Sequence, residues 1–111
     1  MTREEKRLIL HRKLVEILGT TDKPRKEQRV YFQPTVNTEM KFPCIVYTQG
    51  APEKVNADNK AYFINTPYTV IYIDRSPVSD IPDKLLDMEY TMAERPYQKD
   101  NMHYFPFRTF T

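Results

Sequence analysis

Apolar positions recur at helical spacing near the amino terminus and at strand spacing, or in unbroken runs, over most of the remaining chain. Leu10, Leu14, Ile17 and Leu18 share one face of a helical projection of residues 2–18, while Arg3, Lys6, Arg12, Lys13 and Glu16 fall mostly elsewhere. This pattern predicts a helix over 2–18. Thr2 stands where an N-cap would be, and Glu4 and Glu5 occupy the first turn, where the positive end of the helix dipole favours acids. Gly19 ends the helix, because glycine readily adopts the left-handed conformation that closes a last turn. The polar run "TTDKPRKEQR" that follows, with Pro24 inside it, predicts a surface connection.

Three β-like runs come next, each bounded by turn residues. "VYF" at 30–32 stops at Pro34, "PCIVYTQG" at 43–50 stops at Gly50, and "AYFINTPYTVIYID" at 61–74 reads as one long extended segment interrupted by Pro67. Proline has no N–H to give to a ladder, so Pro67 is expected at a bulge, a strand start or an edge. Between Tyr68 and Ile73 both pleat faces are largely apolar, which predicts a strand covered on both sides. After "DRSP", Ser79 or Asp80 can cap a second, short helix that has Pro82 and Asp83 in its first turn and Leu85 and Leu86 as apolar surface. The tail predicts two more extended runs, around 90–95 and 102–110, with "KDN" as the turn between them. The outline is α-β-β-β-α-β-β. It predicts an α+β domain over residues 1–111, a mainly antiparallel or mixed sheet with an N-terminal helix and a second short helix on one face.

Composition narrows the class. A chain of 111 residues is the size of one domain, with a radius of gyration of about 13 Å when compact. Seventeen Lys and Arg against fifteen Asp and Glu give a formal charge of +2, too small and too mixed to announce a nucleic-acid or membrane surface. The single cysteine, Cys44, excludes an internal disulfide. The charged start "MTREEKRLIL" and the lack of any long apolar run predict a soluble protein made inside the cell, with no membrane partner. Two glycines and nine prolines leave little of the backbone freedom that phosphate-cradling loops need.

The candidate chemistry is thin. Asp74, Asp80, Asp83 and Asp87 could form a carboxylate pair or hold a hard cation, but no glycine permits the sharp turn of a calcium loop and Pro77 and Pro82 stiffen the positions that would bend. Capping and helix-dipole complementarity account for the same residues. Asp74 and Arg75 close the long strand, where the guanidinium could take a carboxylate or phosphate or join a neighbouring subunit. No nucleophile or base adjoins them in sequence, which favours a structural contact. His11, His103 and Cys44 match no zinc spacing, and Cys44, followed by Ile45 and Val46, reads as a small core residue. The basic run "KPRKEQR" and aromatic strands such as "HYFPF" could touch nucleic acid, yet the aromatics are spread as core residues would be. These readings predict no catalytic, cofactor-binding or metal-binding residues, no cofactor and no enzyme activity. Eight Tyr and six Phe with many Arg, in a domain too small to bury them all, point instead to protein–protein contact and self-association.

The segments "YFQP", "MKFPCIVYTQG", "ADNKAYFINTPYTVIYIDRSPVSDIPDKLL" and "HYFPFRTF", taken in that order, resemble the small tail terminator or tail-completion proteins of long-tailed bacteriophages. The likeness runs from Val30 onward, and "KFPCIVY", "DNKAYF" and "YTVIYIDRSPVSDIP" are its most specific parts. It implies a virion protein, assembled in the host cytoplasm, that forms a ring, expected to be hexameric, on the end of the tail tube. Such a ring stops tube polymerisation and offers a surface for joining the head. Its implied partners are copies of itself, the tail tube protein and a neck or head-completion connector, with DNA passing through the lumen unbound. The likeness brings no catalytic residues.

A terminator must copy the tube's docking face on one side and lack it on the other. Segment 50–62 is a candidate docking element, with Asp58, Asp74 and Arg75 as candidate subunit or tube contacts. The nearest alternative is a head-completion or head–tail connector protein. Further alternatives are a small carboxylate enzyme and a nucleic-acid-binding module.

Overall fold

A computed structural model describes residues 3–24, 27–35, 37–51, 53–57 and 60–110, the backbone alone being described for Arg3, 53–57 and 60–65. The expected cap Thr2 and the candidate contact Asp58 lie outside the described residues. The fold is α+β, with two helices and a six-stranded mixed sheet.

The first helix, α1 (Arg3–Leu18), ends as the glycine predicts. Gly19 takes φ +79°, its N–H reaches Glu16 O at 3.1 Å, and the Thr20 N–H reaches Val15 O at 3.2 Å. These two bonds close a Schellman motif and satisfy carbonyls that the helix end would otherwise leave open. Leu10 and Leu14 are buried as expected, Val15 joins them, and Ile17 and Leu18 pack at the margin of the same core.

Seven of the eight strands among the described residues are β1 (Val30–Phe32), β2 (Cys44–Gln49), β4 (Lys60–Asn65), β5 (Pro67–Asp74), β6 (Thr91–Ala93), β7 (Tyr97–Lys99) and β8 (Met102–Phe110). The remaining one, β3 (Glu53–Ala57), is not foreseen in the sequence pattern. The main sheet runs β1-β2-β5-β8-β6, with β7 also paired to β8. Only β1 and β2 are parallel, so the sheet is mixed and mainly antiparallel. Register places Ile45 opposite Tyr72 and Tyr47 opposite Val70, and then Val70 opposite Phe107 and Tyr72 opposite Phe105. Strand alternation therefore puts these six residues on one face. Against that face lie α1 and the short α2 (Ile81–Leu86), which contributes fully buried Leu85.

The other face departs from expectation. Cys44 and Ile73 are buried there, Val46 and Ile71 are half-buried, and the paired Thr48 and Thr69 are exposed. Neither helix packs on it; along β5 this face is buried at both ends, at Pro67 and at Ile73, and open at Thr69 between them. The threonines supply the reason: a pair of hydroxyls at the Gln49 end of the sheet tolerates water.

The predicted segment 61–74 also divides. Thr66 belongs to no strand, Pro67 starts β5, and Glu53–Ala57 with Lys60–Asn65 form a separate two-stranded sheet of β3 and β4. This arm is an insertion at what would be a tight hairpin. Gln49 pairs with Tyr68, and the Gly50 N–H donates to Pro67 O at 2.8 Å, so a two-residue turn would suffice to join β2 to β5. A Cβ at Gly50 would stand 3.1 Å from Pro67 Cγ, so a larger residue fits this crossing only if the proline ring gives by a few tenths of an ångström. The radius of gyration is 15.1 Å and the extents are 50 × 30 × 27 Å, so the chain is longer than the compact expectation.

At the other end of the chain, the run predicted at 90–95 shrinks to 91–93, and β7 pairs with β8 through the "KDN" turn. Asp100 at φ 52° and Asn101 at φ 63° are both left-handed, as a two-residue type I′ hairpin demands.

Candidate functional site

The corner after β5 gathers most of the residues that the sequence singles out. Tyr72, on the core face, donates its phenol O–H to Asp74 Oδ2 at 2.7 Å and lies 3.3 Å from Ser79 Oγ. Asp74 Oδ1 accepts the Ser76 N–H at 3.2 Å, and Ser79 Oγ accepts the Ile81 N–H at 3.2 Å. Asp74 and Ser79 thus tie the strand end to the start of α2. Asp80 occupies the N-cap position without a side-chain cap bond and instead pairs with Lys84 at 3.3 Å. Of the two caps the sequence offers, the serine is the one used. Burial, and then the Asp74 carboxylate, push the Tyr72 phenol up to about 12.

The four aspartates do not converge. Asp74 is engaged with Tyr72 and Ser76, Asp80 with Lys84, and Asp83 and Asp87 lie exposed along α2. Among the described residues no group of three or more His, Cys, Asp or Glu side chains is placed to hold a metal ion. Arg75 is exposed, and no ion pair joins it to Asp74 among the described residues. It is the member of the Asp74–Arg75 pair that points to solvent.

His11 and His103 stand on different elements. His103 lies opposite Asp74 across β5 and β8, whereas His11 Nδ1 is 2.7 Å from the Tyr47 hydroxyl. Arg7 Nη1 donates to the same hydroxyl at 3.0 Å, places its guanidinium 4.4 Å from the centre of the Phe32 ring, and pairs with Glu4. Tyr47 accepts from Arg7 and shares a second hydrogen bond with His11 Nδ1. Sequence reasoning missed this node. A signal was present: 7, 11, 14 and 18 form one helical stripe, so two polar residues share the buried stripe of Leu14. The arrangement pins α1 to the sheet.

Cys44 has no solvent exposure, and burial pushes its thiol up to about 12, the reverse of a thiolate nucleophile. The aromatics of "HYFPF" split between faces: Phe105 and Phe107 face the helices, while Tyr104 stacks on Tyr97 with ring centres 4.8 Å apart. They do not form one platform for bases. In the basic loop, Arg25 and Lys26 lie outside the described residues, and Arg29 donates to Phe42 O at 3.3 Å.

What the described surface does offer is contact area. Tyr90, Met92, Tyr97, Leu86 and Val78 are all large, apolar and exposed, Val78 by 83%. The β3–β4 arm adds two strands that pair only with each other among the described residues. No helix among the described residues is long and apolar enough to cross a membrane. No protein family, no curated protein and no solved structure matches this chain.

Proposed function

We propose that this protein is a structural component of a bacteriophage tail, a terminator whose copies form a ring on the end of the tail tube, stop its growth and present the head-joining surface. The observation that carries this reading is the β3–β4 arm, inserted where a two-residue turn would join β2 to β5. A lone two-stranded hairpin is marginal in water, so an arm of this kind gains its order from a surface it docks on. Exposed tyrosines and an uncovered sheet face support the same reading, because they are the features of a protein that finishes its burial on a partner. Arg75, exposed beside the strand end, is a polar contact in this scheme, while Asp74 serves the fold.

In this account the ring acts by shape. One side matches the tube end, and the other lacks the tube's own docking face, so the next tube layer has no template. The test is electron microscopy of purified protein mixed with tail tubes that lack it. The expected result is a ring of density on one end of each tube, and tubes left bare at saturating protein would refute the proposal.

A further inference from the structure

The helix layer carries a cleft that the tail reading does not use. It encloses about 260 Å³ between α1 and the turn after α2, with Ile9, Met88, Tyr90 and Phe110 among its apolar lining. Its two walls carry opposite charge. On α1, Lys6 and Lys13 flank Ile9, and across the cleft stands Glu89; exposed Asp87, two residues before it, and Asp83 of α2 lie outside the lining. Lys84 is engaged by Asp80, and among the described residues no ion pair occupies Lys6, Lys13, Asp83, Asp87 or Glu89.

From this arrangement we infer that the cleft docks a second copy of the same chain across a two-fold axis. An apolar strip with a basic wall on one side and an acidic wall on the other is complementary to itself after a half-turn. Rotated, Lys6 and Lys13 of each copy meet the acids of the other, and the two strips close on one another. Tyr90, 76% exposed, lines the cleft next to Glu89 and becomes buried in the pair. The contact is separate from the arm and does not rest on the tail reading.

The experiment is sedimentation of the full chain over a wide concentration range, which should show a species of twice the 13.3 kDa monomer mass. Two charge-reversed variants test the walls: Lys6→Glu with Lys13→Glu, and Asp87→Lys with Glu89→Lys. Each alone should weaken dimerisation by about tenfold or more, because like charges then face each other at both seams. A mixture of the two should dimerise again, since every seam regains an acid opposite a base. Lys13, Asp87 and Glu89 are exposed and Lys6 is half-buried, and thermal melts check that each variant folds. A wild-type chain that remains monomeric, or variants that dimerise as the wild type does, would overturn the inference. A larger wild-type assembly untouched by either pair of substitutions would overturn this contact and leave the tail ring standing.

Discussion

Tyr47 shows how much of this fold is decided by one hydroxyl. Its ring is fully buried beside Phe32 and Tyr68, while its oxygen takes the Arg7 proton and faces His11. Tyr47→Phe keeps the ring but leaves two half-buried polar side chains on α1 without that partner, which should cost about 1–2 kcal/mol in urea unfolding. A loss below the resolution of the measurement would mean that α1 is held by Leu10 and Leu14 alone. A second consequence concerns alkali. Burial raises Cys44 from 9.0 and Tyr72 from 10.0, each to about 12, so the folded chain keeps protons that the unfolded chain releases. Stability should be flat below about pH 9 and fall as pH rises from there toward 12. Thermal melts across this range check it, and Cys44→Ala should flatten the first part of the decline. The apolar half of this picture was legible, since Cys44 followed by Ile45 and Val46 reads as core. The hydroxyl network was not, because it joins Tyr47 to a helix some 40 positions earlier in the chain.

At the scale of elements, local rules carried furthest where one residue decides the geometry. Gly19, Pro67, Pro82 and the Asp100–Asn101 turn all sit where their backbone preferences place them. Lengths and partners were harder to read. The arm's first strand, Glu53–Ala57, has no strong alternation from which its antiparallel pairing with Lys60–Asn65 could be read. The arm's independence from the sheet makes a direct prediction. Replacing residues 51–66 by Asn-Gly, which also removes buried Thr66, should leave the main sheet and its core intact at a cost of about 1–2 kcal/mol by urea unfolding. A large loss would show that the arm supports the fold. The function given to it would then have to be reconsidered.

For the whole molecule, the fold class was legible in the alternation of helix-spaced and strand-spaced segments, and the elongation was not, because composition fixes size but not shape. The same holds for the candidate site. Asp74 and Arg75 were singled out together, yet the carboxylate is spent on Tyr72 and Ser76 while the guanidinium stays in solvent. Their separate roles follow from where Tyr72 faces, which only the folded sheet decides. The central claim is that the arm is a docking device on a scaffold that folds without it. The most direct measurement is electron microscopy of phage particles assembled with the chain whose residues 51–66 are replaced by Asn-Gly. The account predicts a folded protein, tails of uncontrolled length and heads left unjoined. Tails of fixed length joined to filled heads would contradict it.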